Sequence, residues 1–196
     1  MEIGGREFDI VQRLYRTKGS SQQTLHTVPY HKTETRRMFY KAESKNETFF
    51  VKEYTEKDYG GTLGFPKNIE HEYHTSREYG DYDTTLKLGA TTFDITVSPC
   101  KGIILGDDKI VFPYLDGYEK LSHWFDNLDG ITFDFVCGLA KAAMVWIDDN
   151  EVDNYDLCEN NTLVNFAGTD IDIKMIDFEL SNRHPMEEYR AFIWNQ

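Results

Sequence analysis

Cysteine is scarce in this chain: only Cys100, Cys137 and Cys158 occur. An odd, widely spaced set forms neither a disulfide framework nor a zinc knuckle. Such usage fits a reducing compartment, with a cytoplasmic location as the expectation. Basic residues are also few, 21 Lys and Arg against 34 Asp and Glu, for a formal net charge of −13. Binding to nucleic-acid phosphates needs Lys and Arg, so no general nucleic-acid partner is expected. No apolar run approaches a membrane span, and residues 1–30 lack the charged-then-apolar layout of a signal peptide, so no membrane association is expected. Five prolines and 14 glycines are scattered, without a repeat, a low-complexity tract or a dividing linker. What is present suffices to fold. Hydrophobic residues make up 40% and aromatics 14% of 196 residues, which excludes disorder and supports one domain.

Periodicity predicts an opening helix over residues 7–18, with Phe8, Val11, Leu14 and Tyr15 at spacings of three and four and Gly19 as a stop. Three strand-like runs follow at 24–30, 36–43 and 48–54, with connectors short enough for an antiparallel meander. Pro66 opens a predicted helix to about residue 79, with Ile69, Tyr73 and Ser76 on one face. Strands are expected at 86–97, 109–114, 162–166 and 171–176, and helices at 116–128, 131–147 and 185–194. Strands first and helices later indicate an α+β class rather than a doubly wound sheet.

Four features stand in a suggestive order. Lys52 sits amid the aromatic and β-branched run Phe49-Phe50-Val51-Lys52-Glu53-Tyr54. The next helix offers Glu70 and Glu72. After the most apolar helix comes Asn154-Tyr155-Asp156-Leu157-Cys158-Glu159-Asn160-Asn161, and a hairpin later Met175-Ile176-Asp177-Phe178-Glu179. This resembles the protein-kinase-like superfamily, whose signatures are a strand Lys, a helix Glu, Asp-Leu-x-x-x-Asn and a hydrophobic-Asp-Phe-Gly. The resemblance runs loosely over residues 24–182 and is sharp at 154–180. Ile176-Asp177-Phe178-Glu179 is similar to the Asp-Phe-Glu of choline and ethanolamine kinases and their aminoglycoside-phosphotransferase relatives. The small size is similar to atypical kinases of the RIO type.

The resemblance implies a single domain spanning 1–196, with a two-lobed protein-kinase-like fold. A small antiparallel-sheet N-lobe would cover about 1–114, and a truncated, mostly helical C-lobe about 115–196. It also implies phosphoryl transfer from ATP with Mg²⁺ to a hydroxyl-bearing acceptor, either a protein Ser/Thr or a small molecule. That chemistry needs charge neutralisation and in-line positioning more than covalent work. By this resemblance Asp156 would orient the acceptor hydroxyl. Asn161 and Asp177 would hold Mg²⁺, which favours few carboxylates plus phosphate oxygens. Lys52 would reach the phosphates. Glu72 would orient Lys52, and it is preferred to Glu70 because it heads a Glu-Tyr-x-x-x-Arg stretch. Pro113, Tyr114 and Leu115 would form the hinge against the nucleotide base.

The chain departs from the family pattern in several places. Asn154-Tyr155 replaces His-Arg, and Glu179 replaces the usual Gly. The presumed phosphate loop His31–Thr35 has no glycine, with Lys18-Gly19-Ser20-Ser21 as the fallback. Phe50 stands where protein kinases keep a small residue. Only 19 residues follow Asp177, so the expected C-lobe is either minimal or completed by a second copy or another partner. These departures sustain an alternative, a pseudokinase serving as a binding or regulatory module. Taken singly, each feature also has an ordinary reading: Lys52 as a snorkelling edge lysine, Asp156, Asn161 and Asp177 as turn residues, and the helix glutamates as a solvated face. His71 and His74 do not make a zinc site, since a third ligand is missing.

Overall fold

The computed structural model describes residues 1–16, 25–26, 37–54, 69–126, 133–154, 159–178 and 181–182. The chain opens with a small hairpin, β1 (Glu2–Ile3) and β2 (Arg6–Glu7), not a helix. The helix expected over 7–18 is instead strand β3 (Asp9–Arg16), as far as it is described. The helical spacing is a coincidence. Leu14 is buried, whereas Val11 on the supposed apolar face is exposed at 53%, and a bulge falls between Ile10 and Gln12. Two β-branched residues at that bulge suit a pleated edge better than a helix.

β3 belongs to a six-stranded sheet with β4 (Leu25–His26), β5 (Arg37–Ser44), β6 (Glu47–Tyr54), β9 (Ile104–Leu105) and β10 (Lys109–Pro113), in the order β4-β3-β5-β6-β10-β9. Of the meander expected over 24–30, 36–43 and 48–54, only the pairing of β5 with β6 is as expected: β4, the described part of the first run, pairs with β3, and β3 takes the place beside β5. Lys45 and Asn46, both at positive φ, turn β5 into β6 and pair Ser44 with Glu47. One face of this sheet packs Tyr40, Ala42, Phe49, Val51 and Val111 against Ile3 and Phe8. The other face turns Phe50, Lys52 and Tyr54 toward helix α1 (Ile69–Glu78).

A second sheet is built from β7 (Tyr82–Leu88), β8 (Thr91–Pro99), β11 (Glu119–Lys120), β13 (Thr162–Ala167) and β14 (Asp170–Met175). Its order is β11-β13-β14-β8-β7. The single strand expected at 86–97 is thus a hairpin, folded back at Gly89, whose φ of +59° a glycine adopts at little cost. β8 and β14 run parallel, while the other pairs of this sheet are antiparallel. On its apolar face lie α2 (Leu121–Asp126) and α3 (Phe133–Asp149). Their core joins Leu139 and Trp146 to Ile95, Val97, Ile171 and Ile173. A last two-stranded pair joins β12 (Asp153–Asn154) to β15 (Ser181–Asn182).

The fold-class expectation is therefore overturned. The described residues are β-rich, and among them no mostly helical lobe forms: α2 and α3 pack on a five-stranded sheet that residues 82–99 share with 119–120 and 162–175. The reason lies in the alternation along 82–99 and 162–175, where more and less buried residues alternate for much of each strand, which is a sheet pattern. The two large sheets also interleave along the chain, because β7 and β8 join the second sheet before β9 and β10 return to the first. The helix expected at 185–194 and both candidate phosphate loops lie outside the described residues. Among the described residues, no helix is long and apolar enough to cross a membrane.

Candidate functional site

Lys52 projects from β6 between Phe39 of β5 and Ile110 of β10, its direct cross-strand neighbours. Residues facing each other across antiparallel strands point the same way, so an aromatic ring and a branched chain flank the lysine stem. The residue is only 4% exposed. Its ammonium donates to Glu72 Oε1 at 3.1 Å and to Asp177 Oδ1 at 2.8 Å.

Glu72 reaches this point because α1 buries Ile69, Glu72, Thr75 and Ser76 on one side. These positions fall at helical spacing, though the expected face had Tyr73 in place of Glu72 and Thr75. Glu70 is exposed, so the structure separates the two candidate carboxylates in favour of Glu72. A second donor escapes sequence reasoning: the Tyr54 hydroxyl donates to Glu72 Oε2. Tyr54 lies two residues after Lys52 on the same strand, so the period of two is the signal that could have found it.

Asp177 stands just beyond β14 and has a φ of +67°, a left-handed conformation. Its neighbours hold it there. The Ile176 N–H donates to the Asn161 carbonyl at 3.0 Å. Phe178 is buried against Tyr79 and Trp146, with ring centroids 5.6 and 6.3 Å away. Asp tolerates this region better than most residues, and such conformations cluster at functional sites. Asn161 closes a 3₁₀ turn (Glu159–Asn161) just before β13, at the end of the β13–β14 hairpin that carries Asp177. Lys52, Glu72, Asn161 and Asp177 are thus brought to one region. Asp156 lies outside the described residues, between the β12 strand and the 3₁₀ turn.

Pro113 ends β10, and Tyr114 and Leu115 follow it. Pro113 pairs with Phe49, and the Lys41 ammonium lies 4.4 Å from the centre of the Tyr114 ring. Leu115 and Ile176 pack against the cluster containing Tyr54, Cys100 and Phe112, which links this segment to the Asp177 region. Phe50, which stands where protein kinases keep a small residue, is half-buried. It stacks on Phe39 at 5.7 Å and leans on Phe112 at 6.4 Å, so it forms part of an aromatic wall beside Lys52.

Behind the site, burial drives the Cys100 thiol up to about 12, with the Lys174 charge pulling it back and the Glu72 carboxylate adding to the rise. Cys100 stays a neutral, inert core thiol. Beyond it the Lys174 ammonium donates to Ser98 Oγ at 2.6 Å and pairs with Asp172 at 3.0 Å, a network the sequence does not reveal. Among the described residues, no group of three or more His, Cys, Asp or Glu side chains is placed to hold a metal ion. The expected Mg²⁺ pair is smaller, one carboxylate and one amide, so it falls outside that kind of grouping. Comparison with protein-family models and with curated proteins finds no match to this chain.

Proposed function

We propose that this chain is a phosphotransferase that binds ATP with Mg²⁺ and passes the terminal phosphoryl group to a hydroxyl acceptor. The observation that carries this reading is the ion triad. Lys52, Glu72 and Asp177 come from a strand, a helix and the end of a strand in another sheet, yet both carboxylates lie within 3.1 Å of the Lys52 ammonium. Burying two carboxylates and one ammonium is costly as a device for stability alone. The cost is understandable where a preset charge must meet a charged ligand.

Hard oxygen donors suit Mg²⁺; Asp177, whose side chain is 19% accessible, would supply a carboxylate and Asn161 an amide oxygen. When bound, the ion would neutralise phosphate charge there. The Lys52 ammonium would hold the phosphate oxygens, Glu72 and Tyr54 would fix the lysine, and Asp156 would orient the acceptor hydroxyl. The half-buried rings of Phe39 and Phe50 offer a surface for a base near Pro113, Tyr114 and Leu115. The acceptor is a protein Ser/Thr or a small molecule.

One observation favours a second reading, a nucleotide-binding regulatory module without turnover. Lys52 and Asp177 already bond each other directly at 2.8 Å, satisfying charges that a working site would offer to phosphate and metal. Incubation with labelled ATP and Mg²⁺, alone and with a generic basic protein, separates the two. Label transfer that Asp177→Ala abolishes is the expected result. A thermal shift with Mg²⁺ and ATP but no transfer would favour the binding module. Ligand at a hundredfold over Kd stabilises by about 2.7 kcal/mol, so binding is readily seen. Neither transfer nor shift would overturn both readings.

A further inference from the structure

Four residues, 100–103, touch two of the elements that build the triad and the strand paired with the third. The Cys100 N–H donates to the Met175 carbonyl at 2.8 Å, where β14 ends two residues before Asp177. The Gly102 N–H donates to Ser76 Oγ at 3.0 Å, and the Gly102 carbonyl accepts from the Arg77 guanidinium at 2.8 Å, both on α1. The Ile103 N–H donates to the Val111 carbonyl at 2.7 Å, on the strand paired with β6, where Val111 faces Val51 beside Lys52.

The fit around Gly102 is close. A Cβ there would lie 2.7 Å from the Tyr73 ring and 3.2 Å from the Ile110 side chain. Ile110 is the direct neighbour of Lys52, and Tyr73 follows Glu72. The ring is itself pinned, since the Arg77 guanidinium lies 5.2 Å from its centre and the ring packs into the Tyr54 and Ile69 cluster. Ser76 is fully buried, and its hydroxyl also donates to the Tyr73 carbonyl at 2.9 Å. Any side chain at Gly102 must therefore push the Tyr73 ring, which α1 carries next to Glu72.

We infer that residues 100–103, acting through Gly102 and Ser76, form a positioning strap that holds Glu72 and Asp177 against Lys52, so the site stands assembled before any ligand arrives. Gly102 and Ser76 are positioning residues, with no direct part in chemistry. The consequence for nucleotide binding rests on the phosphotransferase reading, whereas the geometry of the strap does not.

The test is a brief pulse of a water-soluble amine-acylating reagent on the full chain, with labelling at each lysine read by peptide mass spectrometry. Lys109 serves as the internal control, because it is ion-paired with Glu53 at 3.1 Å on the opposite face of the sheet. In Ser76→Ala and Gly102→Ala, Lys52 labelling is expected to rise at least fivefold while Lys109 stays within twofold of the unsubstituted chain. Arg77→Lys, which keeps a donor for the Gly102 carbonyl, is expected to leave Lys52 protected. Ser76→Ala removes only an oxygen and decides the matter if Gly102→Ala does not fold. Unchanged Lys52 labelling in Ser76→Ala overturns the strap. So does a rise at Lys52 and Lys109 together, which signals general loosening. Mg²⁺–ATP affinity measured on the same variants is expected to weaken at least fivefold. If Lys52 becomes reactive while the unsubstituted chain binds no nucleotide, the strap stands and the phosphotransferase reading falls.

Discussion

Lys52 sits between two carboxylates at the meeting point of both large sheets and α1, and its removal would leave Glu72 and Asp177 facing each other. Glu72 is 1% exposed, so solvent cannot relieve that repulsion. Breaking a buried pair by removing one partner costs about 3–5 kcal/mol, and Lys52→Met is expected to lose stability near the lower end, because the Asp177 side chain keeps 19% of its surface. Urea denaturation measures this. The same method should rank Glu72→Ala as more damaging than Asp177→Ala, since Glu72 accepts from both Lys52 and Tyr54 and lies deeper. The candidate residues Lys52, Glu72, Asn161 and Asp177 are legible because their chemistry is unusual for their local setting: a lysine amid aromatics, or Asp before a buried Phe. Tyr54, Ser76 and Gly102 are not, because a tyrosine in a strand and a serine or glycine near a helix end are ordinary until their partners are known.

At the scale of elements, short turns govern the outcome. Lys45 and Asn46 join β5 to β6 with φ of 52° and 65°. Asn tolerates this region, but a residue with an ordinary side chain pays about 1–2 kcal/mol. Lys45→Gly is therefore expected to raise stability by up to about 1 kcal/mol after the added backbone entropy of glycine is set against it. A shift in the urea midpoint with an unchanged slope would show it. The β5–β6 hairpin is readable because its connector is short and both strands alternate. Strand β3 imitates a helix because Phe8, Leu14 and Tyr15 satisfy a helical spacing, and only pairing with β5 selects the extended form. The run at 86–97 looks like one strand because a lone Gly89 is a weak turn signal, although Leu86 and Phe93 come to face each other across it.

The whole molecule holds two large sheets whose cores are separate, one around Phe49 and Val51 and one around Trp146. Trp146 is fully buried, meets Tyr79 edge-on at 5.6 Å and donates to the Gly80 carbonyl at 2.7 Å. Trp146→Ala is expected to cost about 3–5 kcal/mol, measured by denaturation. The fold also holds protons tightly at high pH. Burial raises the Cys100 thiol to about 12. Burial, then hydrogen bonding to Glu53, raises the Tyr40 hydroxyl, and burial, then Asp172, raises that of Tyr118. Burial opposes the Lys109 charge, but its bonds to Asp108 and Glu53 outweigh that and hold the ammonium above its ordinary value. In each case the unfolded chain releases the proton first. The contribution is full below about pH 9 and declines as pH rises toward 12. Melting temperature is expected to fall across that window, and in Cys100→Ala the fall should be shallower.

Composition, charge, the β5–β6 hairpin and four of the candidate side chains can be read from the chain alone, because each depends on residue type or on spacings of a few positions. The parallel pairing of β8 with β14, the sheet that joins 82–99 to 162–175 and the convergence on Lys52 cannot. Asp94 meets Asp170, and Lys52 meets Asp177, only through chain closure over many intervening residues. Local preference is silent about such pairings. They are selected by which apolar faces can bury one another at once, a condition that exists only in the assembled molecule.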